Sequence, residues 1–281
     1  MVEYIGGQAL IEGVLMKNGN LVAVAVRNPE GKIEIHKKEY KFFNTQIPIL
    51  RGIINLFTIM YIGIKSLNLS ASIALKEEND KKESWIGLTF SFLFAILFAI
   101  ALFKFLPLGV AQLIDKNFGV NNYLFNLIDG FVKILVFVLY VFVISKFADI
   151  RRVFQYHGAE HKAVHCHEHK LGLTVKNVQK FPTEHRRCGT TFIFLVLILS
   201  IFVYTFIPKT TPFVWKLILR LLLLPVIAGI SYEVLRFGAK YENNFLVNLL
   251  IKPGLWIQEI TTQEPDDKQV EVAIKSLKAV L

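Results

Sequence analysis

Four long apolar runs constrain the fold of this chain more than any other feature. A transmembrane helix needs roughly 20 mainly apolar residues to cross the hydrocarbon core of a bilayer, and each of the four runs is close to that length or longer. The composition agrees, because 53% of the 281 residues are hydrophobic and 24 are phenylalanine. The sequence therefore predicts an α-helical multipass membrane protein with about four transmembrane helices in two hairpins, 85–147 and 190–235. The four runs are 85–107, 123–147, 190–207 and 213–235.

Basic residues are distributed unevenly around these runs. The links inside the two hairpins contain Lys116 and Lys209 as their only basic residues. The segment before the first run and the loop 148–189 are instead rich in lysine and arginine. The positive-inside rule places such basic segments in the cytoplasm. We therefore expect both termini and the 148–189 loop on the cytoplasmic side of the membrane.

The segments outside the hairpins are amphipathic or charged. Residues 1–46 alternate apolar and polar side chains between turn residues, which predicts a small cytoplasmic β meander of about three strands. Residues 47–84 combine a helical segment, interrupted by polar side chains, with a charged link. An interfacial or partly inserted helix at 47–75 is favoured over a fifth span, which would put the basic N-terminus outside. The cytoplasmic tail 236–281 has a short apolar segment and an amphipathic helix.

Histidine and cysteine are concentrated in the loop between the hairpins. Six of the seven histidines and both cysteines lie between positions 157 and 188. If 155–168 is helical, five potential ligands share one face and Cys166 lies on the opposite side. A cytoplasmic location favours a thiolate ligand or a buried thiol over a disulfide. The five residues on one face are His157, Glu160, His161, His165 and Glu168.

The order His157, Glu160, His161 is typical of a metal-dependent hydrolase. Two histidines one helical turn apart can bind one zinc ion, and the acid beside them can act on a water molecule as general base. A catalytic zinc site takes three protein ligands, and His185 or Cys188 is the candidate for the third. If both were ligands, the site would be closed and structural.

Other interpretations of this cluster stay open. The histidines can be solvated or hydrogen-bonded without any metal. A hydrolase would act on lipid headgroups, polyprenyl phosphates or membrane peptides. A non-catalytic scaffold or biogenesis factor would use the cluster as a structural staple, and its basic cytoplasmic face would bind anionic lipid, the ribosome or the translocon. A weaker alternative is a transporter that uses charges inside the apolar runs.

These intramembrane charges are Asp129, Lys133 and Arg220. Charged side chains within a span are costly unless they are paired or face a cavity. Asp129 is the only acid among them, so we expect it to pair with Lys133 or Arg220. Lys104 and Lys216 are expected to extend to the outer headgroups.

Four stretches in the same order, GGQALIEGVLM, YHGAEHK, HRRCGT and PGLWIQEITTQEPDD, resemble the YqhQ-like family of bacterial multipass membrane proteins. That family has been described as predicted metal-dependent enzymes. The resemblance covers nearly the whole chain and implies a protein of the bacterial cytoplasmic membrane. The chain departs from the family pattern at Arg186, where proline is usual, and at His167, where tyrosine is usual. The resemblance implies that one cytoplasmic site unites Gly6, Gly7, Glu12, His157, Glu160, His161, His185, Arg187 and Cys188.

Overall fold

The structure, a computed structural model, describes residues 5–41, 43, 45–75, 85–241 and 244–281. The predicted charged link 76–84 lies outside these residues. The chain begins with four strands, β1 Gly6–Leu10, β2 Gly13–Asn18, β3 Leu21–Arg27 and β4 Ile33–Glu39. Helices follow: α1 Leu50–Ala74, α2 Trp85–Ile100, a π-helical turn Ala101–Phe105, α3 Leu106–Phe118, α4 Asn122–Ile144, α5 Ala148–Glu168, α6 Val175–Val178, α7 Gly189–Tyr204, α8 Phe213–Lys240, α9 Phe245–Thr261 and α10 Asp267–Val280.

The strands form an antiparallel meander in the order β1-β2-β3-β4. The sequence predicts about three strands, and the structure has four because the run 6–18 folds into a hairpin. Glu12 turns the chain between β1 and β2 with a φ of 51°, and its carbonyl accepts a hydrogen bond from the Arg27 amide. Leu10 and Gly13 face each other across this turn.

The sheet is packed on both faces, which explains why β2 and β3 are almost wholly buried. Side chains alternate along a strand, so Val14 and Met16 face one layer while Leu15 faces the other. The first layer is formed by α5 and α10, and its core includes Ala159, Val164, Val270 and Leu277. The second layer is the C-terminal half of α1, where Ile62 packs on Leu10, Leu15 and Val24. Strand β4 forms an exposed edge.

Among the described residues, four helical segments are long and apolar enough to cross a membrane. They are Leu50–Leu75, Leu93–Phe118, Asn122–Ile144 and Phe213–Gly238. The first predicted run continues as helix through the π-helical turn to Phe118, because Pro107 lies at the start of α3, where proline is tolerated. The third predicted run forms α7, which is apolar but only 16 residues long.

Helix α1 has the length of a span but packs in two different environments. Its N-terminal half lies against the end of α8 that leads to the tail, where the Arg51 guanidinium pairs with Glu233. Gly52 lies so close to α8 that an added Cβ would come within 2.8 Å of the Tyr232 Cβ. Its C-terminal half lies against the sheet. The ion pair between Arg51 and Glu233 therefore connects the N-terminal half of α1 to α8.

The C-terminal segments form two helices. The amphipathic helix predicted near the end is confirmed as α10, and its N-cap Asp266 forms a capping box with Gln269. The apolar segment before it is one continuous helix, α9, although Pro253 lies inside it. Packing against α7 accounts for this continuity, since Gly254 lets the helix approach Thr191 closely.

Candidate metal centre

Helix α5 carries most of the candidate ligands on its C-terminal half. His157 and His161 are one turn apart, and their ring centroids are 4.4 Å from each other. Gly158 between them lets the backbone at Gln263 approach, where the Gln263 amide donates to the Phe154 carbonyl over 2.9 Å. An added Cβ at Gly158 would overlap the Gln263 carbonyl oxygen. A glycine is required here for α5 to dock against the segment between α9 and α10.

Cys188 reaches the two histidines from the N-terminus of α7. It is the N-cap residue of that helix, and its Sγ accepts a hydrogen bond from the Thr190 amide over 3.3 Å. The Sγ atom lies 3.2 Å from Nε2 of His157. A helix N-terminus and nearby imidazoles stabilise a thiolate, which is the form of cysteine that binds metals.

His157, His161 and Cys188 form one group whose ligand atoms all lie within 4.8 Å of one another. Both histidines direct Nδ1 away from this group toward backbone carbonyls: His157 to Thr261 over 2.8 Å, and His161 to Thr183. A carbonyl acceptor fixes the proton on Nδ1 and leaves the Nε2 lone pair for an ion. The residues present therefore fit a zinc ion, with two nitrogens and one sulfur as ligands.

Glu160 lies beside this group. Its Oε2 is 3.5 Å from the His161 Nε2, and the residue is buried. Gly7 on β1 makes room for it, since an added Cβ at Gly7 would come within 2.5 Å of the Glu160 Oε1. The GGQ stretch at the start of the chain thus contributes a strand without a side chain where the buried carboxylate needs space.

The pKa values around the group follow from burial and charge. Burial raises the pKa of the Cys188 thiol, but His157 and His161 outweigh it and lower this pKa well below its usual value. Burial likewise disfavours protonation of His157, yet the adjacent Cys188 thiolate raises the pKa of His157 to about 9. Without an ion, this pair is a thiolate and an imidazolium at neutral pH.

A second group lies next to the first and contains His165, Glu168 and His185. The His185 Nε2 is 3.2 Å from the Glu168 carboxylate, and the rings of His165 and His185 are 4.6 Å apart. Burial lowers the pKa of His165 to about 4, so the ring is neutral at pH 7. The Arg187 guanidinium pairs with the same Glu168 carboxylate, which makes this group less suited to a cation than the first.

The sequence places His185 and Cys188 in one site as alternative or joint ligands, and the structure assigns them to different groups. Cys188 joins His157 and His161, whereas His185 joins Glu168. Cys166 lies in the core packed on the sheet, with its Sγ 3.7 Å from the Gly172 carbonyl.

Glu12 lies outside both groups. Its carboxylate binds the Arg152 guanidinium, with one contact of 2.6 Å, and accepts a hydrogen bond from the Tyr156 hydroxyl over 3.1 Å. It connects the first hairpin to α5, one turn before His157. Its role in the structure is to position α5.

Gln258 on α9 is a site residue that sequence reasoning missed. Its side chain accepts from the His185 amide over 2.7 Å and donates to the His185 carbonyl over 2.9 Å and the Thr191 hydroxyl over 2.7 Å. Thr261, whose carbonyl holds His157, was missed as well. Both lie in the PGLWIQEITTQEPDD stretch, and its resemblance to the YqhQ-like family is the one sequence signal that could have pointed to them.

A family model described as "Protein of unknown function (DUF1385)" matches residues 47–281. The chain belongs to the DUF1385 family. It is also similar to the uncharacterized protein YqhQ of Bacillus subtilis (strain 168), with 36% identity over 293 residues that cover 98% of this chain and 92% of YqhQ. The resemblance to YqhQ-like proteins is thereby confirmed. No solved structure matches the chain significantly.

Proposed function

We propose that this DUF1385 protein is a zinc-dependent hydrolase of the bacterial cytoplasmic membrane, with its metal site on the cytoplasmic side. The observation that carries the proposal is the convergence of His157, His161 and Cys188, with Glu160 next to them. Three ligands with a carboxylate beside them are the arrangement of catalytic zinc sites, whereas structural sites take four ligands.

The proposed topology follows from charge and packing. The positive-inside rule puts the basic loop with α5 in the cytoplasm. Helix α1 then lies along the inner surface, because its C-terminal half is covered by the cytoplasmic sheet and its N-terminal half contacts the inner end of α8. An unbroken crossing by α1 would separate these two contacts by the thickness of the bilayer, about 30 Å.

Glu160 has the role of general base in this proposal. Zinc supplies Lewis acidity at such a site and lowers the pKa of a water molecule toward 7. His157 and His161, oriented by the carbonyls of Thr261 and Thr183, would hold the ion together with Cys188, and the buried Glu160 carboxylate would accept a proton as general base.

The position of the site favours a substrate that is associated with the membrane. Cys188 caps α7, and the 16 residues of α7 extend about 24 Å from it, close to the thickness of the apolar layer. The site therefore lies level with the inner headgroups in the proposed topology. A lipid headgroup, a polyprenyl phosphate or a membrane peptide can reach this level.

A structural staple is the second candidate. One contact favours it: the Glu160 Oε2 is near enough to the His161 Nε2 to serve as a fourth ligand. Four protein ligands would close the site and connect α5 to α7 without catalysis.

The variant Glu160→Gln separates these two functions. If Glu160 is a base, the purified variant keeps the zinc content of the wild type but does not complement a deletion strain. If Glu160 is a ligand, the variant loses zinc or binds it more weakly. Glu259→Gln is the matched control, because Glu259 is exposed on α9. Full zinc content together with full complementation by Glu160→Gln would contradict the hydrolase.

A further inference from the structure

A cluster of charged side chains is buried between the apolar helices, on the side away from the metal centre. The Asp129 Oδ2 on α4 lies 2.9 Å from Nη1 of Arg220 on α8 and 3.2 Å from Nζ of Lys133. All three residues are at most 4% exposed. Arg220 also donates to the Asn126 side chain over 3.1 Å. Asp129 thus pairs with both cations that the sequence offers as alternatives.

The π-helical turn between α2 and α3 brings a third cation to this cluster. Lys104 lies in that turn, and its Nζ is 5.6 Å from the ring of Tyr204. Lys133 and Arg220 lie over the same ring at 5.2 and 4.9 Å. Single π-helical turns are rare and are frequently found at functional sites. Three cations therefore surround one tyrosine ring.

The cluster has more positive charge and more donors than its own residues satisfy. Three cations face one carboxylate, which leaves an excess of two positive charges in a region of low dielectric constant. Across the described residues, the Arg220 Nε is a buried donor without a hydrogen-bond partner, and the Asp129 Oδ1 is a buried acceptor without one. Within the same residues, Lys104 makes no hydrogen bond or ion pair, and its Nζ lies over the ring of Tyr204. Uncompensated buried charge is strongly unfavourable, so a counter-anion is expected here.

Lys216 behaves differently and does not belong to this excess. Its Nζ donates to the Lys209 carbonyl and lies 4.6 Å from the ring of Phe125. Lys209 in turn binds the Asp115 carboxylate over 2.9 Å. These contacts explain the burial of Lys216 without a ligand. No comparable arrangement surrounds Lys104 in the described part of the chain.

We propose that Lys104, Lys133 and Arg220 bind a terminal phosphate group, as a monoester or as inorganic phosphate, within the helix bundle. A phosphate monoester carries between −1.5 and −2 charges at neutral pH and three acceptor oxygens, which matches the excess of two positive charges. Two ammonium groups and the unpartnered Nε of the Arg220 guanidinium provide the donors. The source is either a lipid with a terminal phosphate or free phosphate.

The depth of the site and its exposure agree with entry from the lipid side. Asp129 and Arg220 are each seven residues from the start of their helices, which corresponds to about 10 Å. Lys104 is only partly buried, between the exposed side chain of Phe105 and the interior. Lys104 is therefore the most exposed of the three cations and the one that an entering phosphate group would meet first.

Native mass spectrometry of the detergent-purified protein tests the proposal. Three additions are compared: phosphatidic acid, phosphatidylcholine and inorganic phosphate. The wild type should bind one phosphatidic acid or one inorganic phosphate, and no phosphatidylcholine. Removal of one of three cations should weaken the binding at least tenfold in Lys104→Gln. Lys116→Gln, with its lysine exposed on α3, is the control and should bind like the wild type.

The identity of the bound species distinguishes the two sources. Binding of phosphatidic acid alone identifies a lipid phosphate, and binding of inorganic phosphate identifies a soluble anion. If Lys104→Gln does not fold, Lys104→Arg keeps the charge and should bind. Absence of binding to both phosphates, or equal binding in wild type and Lys104→Gln, would overturn the proposal. Zinc content is expected to be independent of the outcome, because Lys104 is neither in the metal group nor among the residues that hold its histidines.

Discussion

The Nε2 of His157 lies 3.2 Å from the Sγ of Cys188, and this contact joins α5 to the N-terminus of α7. Two residues 31 positions apart thus meet in a pair that either carries a proton or binds an ion. The same pair connects the layer formed by the sheet, α5 and α10 to the apolar helix bundle. Its chemistry determines several measurable properties of the protein.

Zinc binding should release about one proton per ion at pH 7. The Cys188 thiol is already ionised there, because its pKa is well below the usual value, whereas His157, with a pKa of about 9, must lose its proton to bind. The apparent zinc affinity should therefore rise about tenfold per pH unit up to pH 9 and level off above it. Calorimetric titration in buffers of different ionisation enthalpy measures the proton count.

A proton count that stays at zero between pH 6 and 8 would contradict this pairing. Cys166→Ser is the control, since Cys166 lies in the core of the sheet layer and its replacement should leave the proton count unchanged.

Gly158→Ala should destabilise the protein by about 1–3 kcal/mol, the usual cost of an added methyl group in a packed region. The new Cβ would overlap the Gln263 carbonyl oxygen, which belongs to the backbone and cannot rotate away. Gly109→Ala is the matched control, because an added Cβ there has no atom within 4 Å. Thermal unfolding of the detergent-purified proteins measures both, and equal midpoints would refute the close approach.

Gln258→Leu should lower the zinc affinity by up to about tenfold, less than the usual effect of removing a group bonded directly to a ligand, because Gln258 holds the backbone of the loop that ends at Cys188. The substitution leaves the amide and carbonyl of His185 without their buried partner, three residues before Cys188. Gln263→Leu is the control, since the Gln263 side chain makes only a long hydrogen bond of 3.4 Å among the described residues. Competition with a chromophoric chelator measures both affinities. Equal affinities in the two variants would argue against an orienting role.

The two ends of α1 should lie on the same side of the membrane. Cysteines introduced at Gln46 and Ser72, both exposed, should react with an impermeant maleimide only in inside-out vesicles. Cys166 and Cys188 are buried and provide the background signal in the parent protein. Labelling of the two positions from opposite sides would make α1 a span.

The helical part of the fold could be predicted because its signals are local. Apolar runs that are long enough, as helices, to cross a bilayer identify α4 and α8. The helical spacing of the apolar residues from Val270 to Val280 predicts α10. The break in the run 6–18 was missed, since only the positive φ of Glu12 creates it. The continuity of α9 through Pro253 depends on packing against α7, which no local pattern encodes.

The candidate site could be predicted only in part. Helical geometry alone places His157, Glu160 and His161 on one face. The choice between His185 and Cys188 as the third ligand depends on how the loop folds back from α5 to α7. The number of residues between the candidate ligands does not determine the path of that loop. Gln258 acts through the backbone of His185, a role without any residue pattern.

The zinc content of Cys188→Ser, beside Cys166→Ser, tests the central claim most directly. The two cysteines lie on opposite sides of α5, one in the metal group and one in the core of the sheet layer. Mass spectrometry of the metal should find about one zinc ion in the wild type and in Cys166→Ser, and a large loss in Cys188→Ser. Equal zinc in all three proteins, or none in the wild type with zinc supplied, would contradict the account.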